Sequence, residues 1–224
     1  MKVLIACEYS GRVRDAFAKL GHDAWSCDIL PTETQGNHYK GSVLDILDNG
    51  WDLMIAHPPC TYLSNAGARF LYPKGILNQQ RLTKGLAAKE FFMALYNANI
   101  PKIAIENPIP SKVYGLPQYM QTIQPYEYGH PLQKRTCLWL KNLPKLKPTN
   151  IVEERQSTKI AGNWFNKGGK NRQKERARTF EGIADAMADQ WGRMEETMCG
   201  SPVMQVQNKL GFAEVSGISI KIPN

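Results

Sequence analysis

The mostly apolar stretch Trp51-Asp52-Leu53-Met54-Ile55-Ala56 runs directly into His57-Pro58-Pro59-Cys60-Thr61-Tyr62-Leu63-Ser64-Asn65-Ala66-Gly67, and this junction decides the fold. An apolar run that stops at a proline pair is typical of a buried strand. The polar loop after it places Cys60 at the carboxyl end of that strand, where open α/β sheets bind their ligands. A lone cysteine is more often a small core residue, so a functional role for Cys60 needs support from elsewhere in the chain.

Strand and helix patterns alternate on both sides of this junction. Apolar residues spaced three and four apart predict a helix from Arg12 to Leu20, ended by Gly21. The other predicted strands are Lys2 to Cys7, Asp23 to Leu30, Lys102 to Ile105 and Thr136 to Leu140, and the other helices are Arg81 to Ile100 and Glu181 to Trp191. Pro31 to Lys40 is a predicted loop. We therefore expect an α/β fold with a Rossmann-like, doubly wound, mainly parallel sheet.

Composition and cysteine pattern exclude several classes of protein. The 224 residues are 42% hydrophobic and 21% charged, as in an ordinary globular chain. No apolar run reaches the ~20 residues of a spanning helix, and the start of the chain turns polar too soon for a signal peptide. The five cysteines are scattered and form no CxxC pair, which argues against a disulfide framework and against a zinc site. We expect a protein of the reducing cytoplasm, without membrane or metal partners.

Most of the net charge of +8 lies in one short segment. Between Arg155 and Arg178 there are eight basic residues and a single acidic one, Glu175. Such concentration favours a polyanionic partner, because lysine and arginine neutralise phosphates. The predicted contacts are Lys167, Lys170, Arg172, Lys174 and Arg176. Trp164-Phe165, inside the segment, could stack on a base or could anchor the loop as a hydrophobic plug.

Three further strand ends carry polar side chains that could bind a ligand or take part in catalysis. Glu8-Tyr9-Ser10-Gly11 is a tight turn after the first strand, and Asp28 lies near the end of the second, where a carboxylate can accept both ribose hydroxyls of a nucleoside. Glu106-Asn107-Pro108 follows another buried strand. A thiolate from Cys60 near the Glu106 carboxyl group suits covalent attack on an electron-poor ring.

In this order the motifs resemble those of the DNA (cytosine-5) methyltransferases, from about residue 3 to residue 192. Pro59 to Gly67 is similar to the catalytic loop PCQxxSxAG, and Glu106-Asn107-Pro108 is similar to the ENV motif. The stretch from Tyr128 to Arg135 resembles the later motif that contains QxRxR. Cys7 to Asp28 is similar to the first two cofactor motifs, and Gly182 to Trp191 is similar to the final helix.

The resemblance implies a class I methyltransferase fold, S-adenosylmethionine as methyl donor, and a cytosine flipped out of DNA. It assigns Cys60 as the nucleophile at C6, Glu106 to N3 and the exocyclic amine, and Arg135 to the base oxygen or a phosphate. Ser64, in the Cys60 loop, joins the predicted nucleic-acid contacts. The implied donor-binding residues are Glu8, Ser10, Gly11, Asp28, Ile29, Ser42 and Pro58.

The sequence also departs from the family's pattern. The glycine-rich loop keeps only Gly11, Thr61 replaces a glutamine, and Pro108 replaces the valine of ENV. Ser42 replaces an acid that contacts adenine, a role left to Asp45, and Cys137 replaces the second arginine of QxRxR.

The region that normally reads the target sequence is short. We expect a catalytic domain over residues 1–192, with residues 141–178 as a basic insert in place of a target-recognition domain, and residues 193–224 as an extension. Sequence specificity would then be short or relaxed. Three alternatives remain open: a pyrimidine nucleotide or single-stranded DNA as substrate, an amino-methyltransferase that uses Pro58-Pro59, and a catalytically silent DNA-binding protein.

Overall fold

A computed structural model describes residues 1–68, 70–156 and 172–193 of the chain. Its strands are β1 (Lys2–Ala6), β2 (Asp23–Asp28), β3 (His38–Lys40), β4 (Leu53–Ala56), β5 (Lys102–Pro108), β6 (Gln121–Ile123) and β7 (Thr136–Lys141). Its α-helices are α1 (Arg12–Lys19), α2 (Asn65–Ala68), α3 (Gln79–Tyr96), α4 (Arg172–Ala177) and α5 (Glu181–Gly192). Short 3-10 turns cover Val43–Asp45, Pro73–Gly75, Lys112–Tyr114 and Pro125–Glu127.

The strands of the described residues form one sheet in the order β3-β2-β1-β4-β5-β7-β6. The first five strands of that order run parallel to one another, whereas β7 is antiparallel to both β5 and β6. The order reverses between β1 and β4, which opens a crevice at the carboxyl edge. This mostly parallel sheet, with a late antiparallel strand inserted beside β5, is the class I S-adenosylmethionine-dependent methyltransferase fold, as the sequence predicts.

Two apolar layers cover the faces of the sheet, because alternate residues of a strand point to opposite sides. Val3 and Ile5 of β1 face a layer that includes residues of α1 and α5. Leu4 and Ala6 face the opposite layer, which is completed by Phe92 and other residues of α3. Strands buried on both faces require continuous apolar runs, and this is why β1 and β4 are visible in the sequence.

The predicted helices and strands are confirmed, with shifts of a few residues at their ends. The predicted loop from Pro31 to Lys40 is wrong at its end, because His38–Lys40 pairs with β2 as the edge strand β3. The short elements β6 and α2 were not predicted. Three or four residues are too few to show the two-residue or 3.6-residue period on which such predictions depend.

The segment between β2 and β3 is held by a buried arginine. Arg14, on α1, is 1% exposed, and its guanidinium donates to the hydroxyls of Ser26, Thr32 and Thr34. The same guanidinium pairs with Asp15, at 2.7 Å. A buried arginine is tolerated where its donors are satisfied, so this network fixes the loop beside the carboxyl end of β2.

No helix among the described residues is both long enough and apolar enough to cross a membrane.

We predict that Gly182→Ala destabilises the protein. Alanine in place of glycine inside a helix usually adds up to about 1 kcal/mol of stability. Here the added Cβ would lie 1.9 Å from the carbonyl oxygen of Tyr128, a buried backbone group that cannot move aside cheaply. We expect a loss of about 1–3 kcal/mol in the free energy of unfolding, as for other overpacked sites, measured by urea denaturation. Asp185→Ala, on the exposed face of the same helix, is the control; an equal or higher stability of Gly182→Ala would contradict the packing of α5.

Candidate active site

The carboxyl ends of β4 and β5 bring Cys60 and Glu106 to the same edge of the sheet. The two strands are parallel and in register, with Ala56 opposite Ile105. β4 ends at this level, whereas β5 continues to Pro108, so the chain that leads to Cys60 leaves the sheet beside Glu106, which is still part of β5. The side-chain amide of Asn107 donates to the carbonyl oxygen of Pro58 at 3.2 Å, which ties the Cys60 loop to β5.

The loop after Cys60 is also held by backbone hydrogen bonds. The Ser64 amide donates to the carbonyl of Cys60 at 3.0 Å, and the Ser111 amide donates to that of Leu63 at 2.7 Å. Ser64, a predicted nucleic-acid contact, is 7% exposed, and its hydroxyl accepts from the amide of Gly67. Ser64 therefore shapes the first turn of α2, and in this conformation its hydroxyl is turned inward.

The charge of Glu106 influences the protonation of Cys60. Burial raises the pKa of the Cys60 thiol, and the negative charge of Glu106 raises it further, against the opposing charges of Lys134 and Arg176. Burial alone would also raise the pKa of Glu106, but the hydrogen bond with His57 and the charge of Lys134 hold that pKa below its ordinary value. At neutral pH the site therefore contains a protonated thiol beside an ionised carboxylate.

His57 is a direct partner of Glu106 that the sequence analysis did not identify. Its Nδ1 lies 3.5 Å from Oε2 of Glu106, and its side chain is 8% exposed. Within the described part of the chain, Nε2 of His57 is buried and has no hydrogen-bond partner. The histidine thus holds the carboxylate from the strand that carries the cysteine.

Lys134 is a basic residue that faces the site. It lines a small cavity with Glu106, and its charge lowers the pKa values of both Cys60 and Glu106. The neighbouring Arg135, the predicted clamp, is exposed, and its charge acts on buried Cys137. An assignment of Arg135 to the base or a phosphate remains a prediction that requires its long side chain to reach in from the surface.

The described part of the basic segment packs over this edge of the sheet. The hydroxyl of Tyr9 donates to the backbone carbonyl of Lys174, and Arg178 donates to both carboxylate oxygens of Glu33 at 2.8 Å. Lys174 also pairs with Glu33, at 3.1 Å. These contacts, the Arg178 hydrogen bonds foremost, lower the pKa of Glu33 to about 2.

The structure places the predicted nucleic-acid contacts of this segment in different surroundings. Arg176 lies close enough to Cys60 for its charge to act on the thiol, whereas Lys174 is engaged by Glu33. Arg172 begins α4. Lys167, Lys170 and the Trp164-Phe165 pair lie outside the described residues.

The cavity beside Glu106 is small in this conformation. It is lined by Glu106, Lys134, Thr136 and the residues from Ala177 to Phe180 that join α4 to α5, and its volume is about 20 Å³. Such a space holds about one water molecule. In this conformation the cavity is therefore too small for a planar ring, and a shift of the α4–α5 connection would enlarge it.

The predicted donor loop is built around the Glu8 carboxylate. Glu8 is 4% exposed and accepts hydrogen bonds from the Ser10 hydroxyl at 3.0 Å and from the Val13 amide at 2.8 Å. It therefore satisfies the amino terminus of α1, where amides lack intrahelical partners. Gly11 has φ 77°, and a Cβ there would lie 2.1 Å from the Thr34 hydroxyl, so this position requires glycine.

Asp28 and Ile29 have the chemistry to hold a nucleoside. Oδ1 of Asp28 accepts from the Leu30 amide at 2.9 Å, and Ile29 is 76% exposed at the end of β2. A carboxylate can bind ribose hydroxyls while an open apolar side chain packs on a ring, so this pair fits a nucleoside-containing donor. Ser42 caps the Val43–Asp45 turn, and the buried Pro58 offers a carbonyl already bonded to Asn107.

Within residues 1–68, 70–156 and 172–193, no group of three or more His, Cys, Asp and Glu side chains is arranged to bind a metal ion.

Comparisons with known proteins yield structural matches only. A scan against protein-family models finds no match, and neither does a search of curated proteins. One similar solved structure is a protein encoded within an E. coli prophage and provisionally assigned as a DNA modification methyltransferase; it is 14% identical, with a TM-score of 0.44 over 72% of this chain and 57% of that one. Another is the Entamoeba histolytica methyltransferase EhMeth, 15% identical, with a TM-score of 0.42 over 69% of this chain and 57% of that one. The matched part of this chain thus spans little more than half of either protein, and the fold class rests on the strand order.

We predict that Glu106→Gln makes Cys60 more reactive at a given pH. The substitution removes the negative charge that raises the thiol pKa, so the thiolate fraction increases. The pH profile of iodoacetamide alkylation, followed by mass spectrometry of the Cys60 peptide, should shift to lower pH. Glu127→Gln, which alters a carboxylate in the Pro125–Glu127 turn, is the control and should leave the profile unchanged. A shift to higher pH in Glu106→Gln would contradict the coupling.

We predict that Glu33→Gln loosens the α4–α5 connection. The neutral amide cannot hold Arg178 and Lys174, and partly exposed ion pairs contribute up to about 1 kcal/mol each. Amide hydrogen exchange in the peptide from Lys174 to Phe180 should become about threefold faster or more, whereas exposed Asp48→Asn should leave it unchanged. Unchanged exchange in Glu33→Gln would show that these ion pairs do not fasten the segment.

Proposed function

We propose that this protein is an S-adenosylmethionine-dependent DNA (cytosine-5) methyltransferase with short or relaxed sequence specificity. The observation that carries the proposal is the coupling of Cys60 and Glu106 at the adjoining ends of β4 and β5. A nucleophilic thiol beside a carboxyl group is the pair that addition to a pyrimidine ring requires. The class I methyltransferase fold is consistent with it.

In the proposed reaction the Cys60 sulfur adds to C6 of the cytosine, while the proton of the thiol passes to Glu106 and from Glu106 to N3. The addition moves the electrons of the C5–C6 double bond toward C5. A bound S-adenosylmethionine would supply an electrophilic methyl group, which C5 would take as the carbon–sulfur bond of the donor breaks and its electrons stay on the donor's sulfur. A base then removes the C5 proton, the C6–S bond breaks, and its electrons return to the Cys60 sulfur. Lys134 favours the ionised thiol during this cycle, because its positive charge lowers the thiol pKa.

For the donor, we propose that Asp28 binds the ribose hydroxyls and that Ile29 packs against the adenine ring. Both lie at the end of β2, next to the turn that Glu8, Ser10 and Gly11 form. Ser42 and the Pro58 backbone would border the same crevice. The Glu8 carboxylate and the Ser10 hydroxyl act mainly by shaping this turn. They are hydrogen-bonded to each other, and Glu8 is also bonded to the first turn of α1.

The proposed DNA contacts belong to the basic insert of residues 141–178 within a catalytic domain of residues 1–192. Arg176 is the insert's described residue whose charge reaches the Cys60 site. Phosphate contacts by lysine and arginine give affinity without sequence information, which fits the proposal of relaxed specificity.

The proposal predicts a covalent adduct between Cys60 and 5-fluorocytosine. Fluorine at C5 cannot leave as a proton does, so the enzyme should remain bound after methyl transfer. The protein is incubated with labelled donor and with duplex DNA, single-stranded DNA or dCMP that contains this base, and adducts are measured by mass spectrometry after denaturation. Cys60→Ala should abolish the adduct, and Glu106→Gln should slow its formation by about 100-fold or more, as for loss of a general acid.

Cys199→Ala is the matched cysteine control and should form the adduct at the unsubstituted rate. The substrate is identified by which of the three, duplex DNA, single-stranded DNA or the nucleotide, forms the adduct. Absence of an adduct with all of them would refute the enzyme proposal. If DNA still bound without donor binding, a catalytically silent DNA-binding protein would replace it.

A further inference from the structure

An open pocket of about 280 Å³ adjoins the loop that follows Cys60. It lies between that loop and the first turns of α3, and it is lined by two aromatic and two basic side chains: Tyr62, Phe70, Arg81 and Lys84. Phe70 is 50% exposed. The exposed part of this ring offers a flat apolar surface to a ligand beside positive charges.

Arg81 links the pocket to the Cys60 loop. Its guanidinium lies 5.0 Å from the ring centre of Tyr62 and 5.3 Å from that of Phe70. The same group donates to the carbonyl oxygens of Thr61 at 3.1 Å and Gly67 at 3.0 Å. These two bonds tie Arg81 to the residue after Cys60 and to α2. A ligand in the pocket would therefore contact the loop that positions the Cys60 thiol.

The charge and shape of the pocket favour one kind of occupant. The described residues that line it include Arg81 and Lys84 and no acidic side chain, so the pocket attracts anions. Its rings offer flat apolar area, and Asn78 and Gln80 add side-chain amides that can bond to base edges. Phosphates beside stacked bases are the ligands that combine these features, whereas an acidic peptide would leave the rings unused.

We propose that this pocket binds one unpaired nucleotide of the DNA strand, next to the cytosine that enters the Cys60 site. The base stacks on Phe70, and its phosphate pairs with Lys84. Arg81 holds the loop and the two rings together and is a positioning residue. The inference rests on the proposed function in taking DNA as the partner, but it concerns binding and does not require methyl transfer.

Two substitutions at the pocket test the proposal, each with a control of the same residue class outside the pocket. Phe70→Ala removes the stacking surface, and Tyr72→Ala removes a ring of similar exposure, 53%, outside the pocket. Lys84→Gln removes the phosphate contact, and Lys89→Gln neutralises a lysine of α3 about 140° further round the helix. Arg81 is left intact because it also supports the Cys60 loop.

Binding of fluorescent single-stranded oligonucleotides is measured by anisotropy at several salt concentrations, without donor. Phe70→Ala should weaken binding about tenfold, the usual effect of losing one stacked base. Lys84→Gln should lower the slope of log affinity against log salt by about 0.7, as for one released counterion on a single strand. Tyr72→Ala and Lys89→Gln should match the unsubstituted protein in both measurements.

A crosslinking experiment locates the nucleotide. A photoreactive 5-iodouracil is placed at each position beside the single cytosine, and crosslinked peptides are identified by mass spectrometry. One adjacent position should crosslink to the peptide that contains Phe70, and Phe70→Ala should abolish that product.

The outcomes separate this inference from the proposed reaction. Normal affinity and salt slope in both pocket variants would overturn the nucleotide site, even if the 5-fluorocytosine adduct formed. Loss of affinity in these variants would support the site even if no adduct formed. Failure of the unsubstituted protein to bind DNA would also overturn the nucleotide site. So would a changed sedimentation coefficient of Phe70→Ala with normal DNA binding, because that result indicates that the pocket binds a protein.

Discussion

The parallel register of β4 and β5 is the constraint on which the rest of the site depends. With Ala56 opposite Ile105, β4 ends at the level of Glu106, so the Cys60 loop leaves the sheet beside this residue of β5. A shift of one residue would turn the apolar residues of either strand to the wrong face, so the two core layers enforce this register. The antiparallel β7 then adds Lys134 to the same edge, because a strand that runs the other way begins where β5 ends.

The sequence predicts the parts of the site that follow strong strand signals. Cys60 and Glu106 each come after a buried apolar run and beside prolines, so their positions at a sheet edge could be inferred without coordinates. The importance of Lys134 could not, since it depends on the direction of β7 and on which side chain turns inward there. His57 was equally hidden, because a histidine before a proline pair gives no sign that its ring will reach a carboxylate on another strand. The turn from Glu8 to Gly11 was predicted only in part. Its location follows from the sequence, but the hydrogen bond by which Glu8 caps α1 is visible only in the structure.

The α4–α5 connection narrows the space beside Glu106, so interactions that hold this connection in place also restrict access to the carboxylate. The connection leaves room for about one water molecule beside Glu106, and it is held by ion pairs at Glu33 that are partly exposed to solvent. Solvent screens such pairs, so each contributes little free energy and the connection can open at a modest cost. An entering polyanion would also compete for Lys174 and Arg178, because phosphate oxygens bond to the same side chains as the Glu33 carboxylate. Opening and DNA binding would then be favoured by the same charges.

The protonation states at the site also constrain the proposed chemistry. Addition of sulfur to the ring requires that the thiol lose a proton and that N3 gain one. In the free protein the Cys60–Glu106 pair already contains that single proton, on sulfur, beside a carboxylate that can accept it. Transfer from the thiol to Glu106, and from Glu106 to N3, would supply both needs without an outside acid. Lys134 favours loss of the proton from the thiol, because its charge stabilises the thiolate, and it favours release of the proton from Glu106 to N3, because its charge stabilises the carboxylate. The raised thiol pKa of the free protein is therefore compatible with nucleophilic attack, because sulfur needs to ionise only after a ring is in place to receive its proton.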